Sequence, residues 1–390
     1  MCECGAPLLA RYEWKDVRTS DLRPRYDLWR YAPLLPVDES SVRSRGEGGT
    51  PLHRLERIGS GGRVAKMKLA AVHVKDEGLN PTGTFKARGM AVAVPMAVEL
   101  GAESVVLPTA GSAGAALAQY AATYGLDPVI FLTEDAPSEA RREASGFGAK
   151  ILEVEGDIVA AGRIAREYAA ATGAFNVATL REPYRVEGKK TMLLEIWEAL
   201  GGMPDWILFP TGGGTGIVGT WEALQELRDL GWYEGLPPRI GLVQAEGCAP
   251  LVEAWRAGRE QADPWPDPRT AAAGLRVPGT IADRLVLRAV RETRGAGIAV
   301  SDAQMAVAAA NLATLEGVSA CLEGAATLAG LRRLYDEGTI HPEDRVVLVN
   351  TGTGRAPADA IPRIPRVRSC EEALAALEFT SAKTPDVPED

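Results

Sequence analysis

The chain has 390 residues, 24% of them charged, and a formal net charge of -9. That length predicts two or three domain-sized units around a large buried core, and the negative balance argues against nucleic acid or an anionic membrane as a partner. No apolar run is long enough to span a bilayer, and no basic-then-apolar leader opens the chain.

Residues 1–50 begin with Cys2-Glu3-Cys4. One close cysteine pair without a second cannot complete four zinc ligands, so no metal is expected there. Five cysteines, three of them scattered, make no disulfide framework, which points to a reducing cytoplasm. Leu22 to Tyr31 reads as an arm that packs on the body through its aromatics, and Glu47-Gly48-Gly49-Thr50-Pro51-Leu52 as a turn before a short strand. A strand over Ala71–Lys75 leads through Asn80-Pro81-Thr82-Gly83 into a helix with Lys86 in its first turn. There the amide dipoles disfavour a cation and help lower the lysine's pKa. A neutral amine is what attacks an aldehyde; the plain alternative is a surface lysine at a helix start. Pro95 should kink or shorten this helix.

Strands then alternate with helices. The pattern places strands at 104–108, 128–133 and 150–154 and helices at 115–124, 137–146 and 158–172. A second series runs from a strand at 206–210 through a glycine loop at 211–216 to a helix at 217–230 and a strand at 239–245. Helices follow near 282–294, 302–316 and 323–337, then a strand at 345–351. Such alternation predicts parallel sheets with right-handed crossovers. Residues 380–390 read as a frayed tail, and no solenoid repeat is present.

Four further stretches carry chemistry. Pro210-Thr211-Gly212-Gly213-Gly214-Thr215-Gly216 leaves several backbone N–H groups free to converge on an anion at a helix start. Its spacing fits neither a Walker lysine nor a dinucleotide fingerprint. Thr351 follows the last strand, and Thr109-Ala110-Gly111-Ser112 forms a strand–helix turn. Thr179 to Thr191 holds Arg185, whose planar fork suits a phosphate; an interdomain ion pair is the alternative for that residue.

Together with the Lys86 segment these motifs resemble the fold type II pyridoxal phosphate enzymes (tryptophan synthase β-like), above all the threonine synthases. The resemblance runs from the N-terminal segment to about residue 355. It implies two open-sheet α/β domains with the active site in the cleft: a large domain of 1–90 and 185–390, and a small mobile one of 91–184. It makes Lys86 the Schiff-base lysine and the catalytic base. Gly212, Gly213, Gly214, Thr215 and Gly216 become the cofactor's phosphate cup, and Thr351 the hydroxyl beside its ring nitrogen. Ser112 stands toward the cofactor's 3-hydroxyl, where the family usually has Asn. Thr109, Gly111 and Ser112 are implied to hold the substrate carboxylate, and Arg185 the phosphate of O-phosphohomoserine. Other departures are Ala87 where threonine synthases commonly have Asp, and Thr179 and Leu180 where they have Asn and Ser. The implied reaction converts O-phospho-L-homoserine and water to threonine and phosphate. Its rivals are an ammonia-lyase acting on threonine or serine, a β-replacement enzyme, and a silent cofactor-binding protein. A homodimer is the family expectation.

Overall fold

The computed structural model describes residues 1–2, 5–14, 16–59 and 67–354. Cys4, half of the N-terminal cysteine pair, and the tail at 380–390 lie outside the described residues.

Aliphatic runs such as Trp206-Ile207-Leu208-Phe209 and Val346-Val347-Leu348-Val349 are buried along their whole length. Strands of that kind need helices on both faces, as parallel sheets provide. In the first half of the chain the elements are β1 (Leu52–Arg54), β2 (Ala71–Asp76), α1 (Lys86–Glu99), β3 (Ser104–Thr109), α2 (Ala113–Tyr124), β4 (Asp127–Thr133), α3 (Ser138–Gly146), β5 (Lys150–Val154), α4 (Ile158–Thr172) and β6 (Phe175–Asn176). The second half holds α5 (Tyr184–Leu200), β7 (Trp206–Pro210), α6 (Thr215–Asp229), β8 (Arg239–Ala245), α7 (Pro250–Arg256), α8 (Asp283–Glu292), β9 (Ala296–Val300), α9 (Asp302–Glu316), α10 (Leu322–Asp336) and β10 (Arg345–Asn350). One sheet has the order β1-β2-β10-β7-β8-β9, parallel except for the edge strand β1. The other has the order β5-β4-β3-β6 and is parallel throughout. On the larger sheet, residues of α5, α6 and α8 fill one face and residues of α9 and α10 the other.

Three helices approach one another through glycines. A Cβ on Gly89 of α1 would stand 3.1 Å from the Arg185 carbonyl oxygen, and one on Gly188 of α5 would stand 1.9 Å from that of Arg88. Gly219 of α6 leaves only 3.0 Å between such a carbon and the backbone nitrogen of Lys190. The backbones of α1, α5 and α6 therefore nearly touch, which brings the N-terminal turns of all three helices into one region.

Several expectations are corrected. Helix α1 runs through Pro95 without a break. A proline inside a helix costs about 3 kcal/mol, but burial of almost every residue from Ala87 to Ala97 offsets it. Helix α5 was missing from the periodicity because its first half buries Arg185, Glu187, Lys189 and Lys190, which hides any apolar stripe. In the arm, Leu28, Trp29 and Tyr31 pack as expected, whereas Tyr26 is 96% exposed.

Candidate active site

The Lys86 segment is fastened to the end of β10. Phe85 N–H donates to the Thr351 carbonyl (3.0 Å) and Thr353 N–H to that of Gly83 (2.9 Å). Asn350 Nδ2 donates to Asp76 Oδ1 at 2.8 Å. Within the loop Thr82 adopts a left-handed φ of 60°, uncommon for a residue with a branched Cβ. These bonds fix Lys86 as the first residue of α1, beside Thr351. Part of Lys86 stays accessible, yet protein crowds it enough that desolvation lowers its pKa from 10.5 to about 8. The Arg185 guanidinium adds to the lowering, and Glu323 and Cys321 oppose it.

The glycine loop is packed tightly on its outer side. A Cβ on Gly212 would lie 2.2 Å from the Gly274 carbonyl oxygen, and one on Gly214 (φ 83°) 2.4 Å from Val286 Cγ2. Val218 N–H bonds back to Gly214 O at 3.0 Å. That leaves Thr215, Gly216 and Ile217 as the α6 N–H groups with no intrahelical partner. The Lys189 amine donates to the Thr215 hydroxyl. The amines of Lys86 and Lys189 each lie 4.3 Å from the centroid of the Phe85 ring.

Arg185 is buried and forms no ion pair among the described residues. Its Nη1 donates to the Val177 carbonyl at 2.8 Å, while its buried Nε has no partner. Glu182 accepts from the Arg185 backbone N–H at 3.0 Å and keeps its other carboxylate oxygen unpartnered. Burial raises the Glu182 pKa to about 7 against the pull of Arg185. Leu180 sits at φ 58° with its side chain in the apolar core, so it offers no donor.

The 109–114 turn is less constrained. Thr109 Oγ1 bonds both ways with Gly111, donating to its carbonyl at 3.2 Å and accepting from its N–H at 3.1 Å. A Cβ on Gly111 would meet nothing within 4 Å, and Ser112 makes no capping bond. Helix α2 packs against the 81–83 turn, which is the link between this turn and the Lys86 segment. Thr351 is buried, with its hydroxyl 3.8 Å from Cys321 Sγ. Phe85, Glu182, Lys189, Cys321 and Glu323 were not singled out as site residues in the sequence. None of them had a legible signal: Lys189 lies four positions after Arg185 and so on the same helical face, but the helix that makes this so was itself missing from the periodicity.

Residues 43–352 match the family described as pyridoxal-phosphate dependent enzymes. The chain belongs to that family. Among its relatives, the threonine synthase of Methanocaldococcus jannaschii is 33% identical over 381 residues, covering 96% of this chain and 91% of the relative. The threonine synthase of Methanosarcina acetivorans is 36% identical over 327 residues, covering 83% and 79%. In fold the chain is similar to maize serine racemase, with a TM-score of 0.68 at 21% identity over 85% of this chain and 93% of that one. The cofactor of the family, pyridoxal phosphate, fits the residues present. Lys86 is a partly desolvated amine for its aldehyde. A glycine loop whose side chains would clash, and a helix start with free N–H groups, suit its phosphate. Among the described residues, none of the helices is long and apolar enough to cross a membrane.

Proposed function

We propose that this enzyme is a threonine synthase, converting O-phospho-L-homoserine and water to L-threonine and phosphate, as a cytoplasmic homodimer with no nucleic-acid partner. The similarity to threonine synthases over nearly the whole chain supports the reading, and the negative net charge fits a protein without nucleic acid. Within the described residues, 1–90 and 185–354 would belong to the large domain and 91–184 to the small one; the rest of the large domain as read from the sequence, 355–390, lies outside the described residues.

Pyridoxal phosphate, when bound, supplies the electron sink that makes the substrate's carbon-bound protons acidic. Lys86 would anchor it, and its amine, once free, would move protons at Cα, Cβ and Cγ. The phosphate leaves from Cγ, which takes a proton to become the methyl group, and the oxygen of water adds at Cβ. Gly212, Gly213, Gly214, Thr215 and Gly216 would hold the cofactor's phosphate, and Thr351 would offer a neutral hydroxyl to its ring nitrogen. Ser112, with Thr109 and Gly111, orients the substrate's carboxylate and the cofactor's 3-hydroxyl.

The observation that carries the substrate assignment is Arg185, a buried guanidinium with a free Nε and no carboxylate partner among the described residues. A charged group so placed needs an anion. Arg185→Ala should raise the KM for O-phosphohomoserine by about ten- to a hundredfold, the worth of a charge-assisted contact. An unchanged KM would remove Arg185 from substrate recognition. A second reading, ammonia loss from threonine or serine, is favoured by Leu180, which places an apolar side chain where a phosphate-binding hydroxyl is expected.

A further inference from the structure

Among the described residues, buried cations fall into two groups. Lys75 meets Glu195 at 2.6 Å, Arg88 meets Glu77 and Glu195 at 2.6 Å, and Lys190 meets Glu187 at 2.6 Å and Glu226 at 2.9 Å. Lys189 is as deeply buried, at 1% exposure, yet it forms no ion pair among the described residues. Its amine has the Thr215 hydroxyl and the face of Phe85 instead. Neither carries a full negative charge. Burial, then the neighbouring charges of Lys86 and Arg185, push the Lys189 pKa well down, against the weaker pull of Glu182 and Glu77. A buried ammonium without a counter-charge is costly unless an anion arrives.

The position of the hydrogen bond says where that anion goes. Thr215 is the first residue of α6, where the N–H groups of Thr215, Gly216 and Ile217 lack intrahelical partners and the glycine loop ends. Loop amides and a helix dipole supply only partial charges. A phosphate dianion seated there would leave much of its charge unmatched without a nearby cation. We propose that Lys189 is a cofactor-binding residue that supplies a full positive charge to the phosphate of pyridoxal phosphate, held in place by the Thr215 hydroxyl. Arg185, one turn earlier on the same helix, stays available for an anionic group of the substrate. Lys86 alone meets the aldehyde. The proposal rests on the reading that the glycine loop holds the cofactor's phosphate.

The test compares pyridoxal phosphate with unphosphorylated pyridoxal in equilibrium binding to cofactor-free protein, followed by absorbance. Lys189→Gln should weaken pyridoxal phosphate by about ten- to a hundredfold and leave pyridoxal within about twofold, and Lys189→Arg should restore most of the loss. Equal weakening of both ligands would make Lys189 a structural residue and overturn the proposal. Unchanged binding of pyridoxal phosphate with a raised KM for O-phosphohomoserine would also overturn it, by assigning the lysine to the substrate's phosphate. Gly213→Val in the loop serves as the control. If it weakens pyridoxal phosphate selectively while Lys189→Gln does not, only this proposal falls. If neither variant distinguishes the two ligands, the loop reading falls with it.

Discussion

Lys86 combines two properties that its chemistry requires: it is reachable, and its amine is partly stripped of water. The lowering of its pKa to about 8 comes first from burial and then from Arg185. Only the neutral amine attacks an aldehyde, so the rate at which cofactor-free protein captures pyridoxal phosphate should rise about tenfold per pH unit up to about pH 8 and then level off. Stopped-flow absorbance across pH 6–10 would show it. A rate still climbing tenfold per unit at pH 10 would mean that the lysine is not desolvated. Lys86 was legible because the turn that presents it, from Asn80 to Phe85, is local in sequence, although Arg185, Cys321 and Glu323, which tune it, are not. Lys189 was not legible as a phosphate ligand. Its surroundings come from Phe85, more than a hundred residues earlier, and Thr215, 26 residues later.

At the scale of elements, the site exists because α1, α5 and α6 touch backbone to backbone. Gly188 is the tightest of the three crossings, with 1.9 Å between an added Cβ and a main-chain oxygen that cannot move without shifting α1. Gly188→Ala should therefore destabilise the protein by about 3 kcal/mol or more and displace Lys86 relative to Arg185, since overpacking alone costs about 1–3 kcal/mol. Gly202→Ala, with nothing within 4 Å of the new carbon, is the matched control and should sit within about 0.5 kcal/mol of wild type. Urea unfolding of the two variants separates them. Equal stabilities would mean that the helices can slide apart cheaply. The strands and most helices could be placed from alternation and aliphatic runs, because those signals are local. Helix α5 could not, since the residues it turns inward at its start are charged and, apart from the Glu187–Lys190 pair, their partners lie outside it.

At the scale of the molecule, buried charge ties the N-terminal segment to the helices of the site. Lys75 Nζ donates to the Thr50 carbonyl at 2.5 Å and to Glu195, and Arg88 reaches Glu77, Glu195, Thr50 and Thr191. Arg88 and Lys75 hold the Glu195 carboxylate well below its usual range. A depressed folded-state pKa gives stability that is present above the unfolded value, near 4.3, and lost as pH falls through the folded one. Glu195→Gln should cost about 3–5 kcal/mol at pH 7 by leaving two cations underpaired, and the deficit should shrink below about pH 4. A variant equally deficient at pH 7 and at pH 3, by chemical denaturation, would mean that the network is not ionised as described. The parallel pairing of the sheets, apart from the antiparallel edge strand β1, and the order of the motifs were legible at this scale. The network was not, because Lys75, Arg88 and Glu195 share no local pattern.

The proposed reaction turns a phosphorylated amino acid into threonine on a lysine-anchored cofactor. It is tested most directly by supplying O-phospho-L-homoserine to the purified holoenzyme and measuring phosphate and amino-acid products together, with threonine and serine as parallel substrates. One threonine should form for each phosphate released, with no comparable ammonia from threonine or serine. Efficient conversion of threonine or serine to ammonia and a 2-oxo acid, with no phosphate released from O-phosphohomoserine, would contradict it.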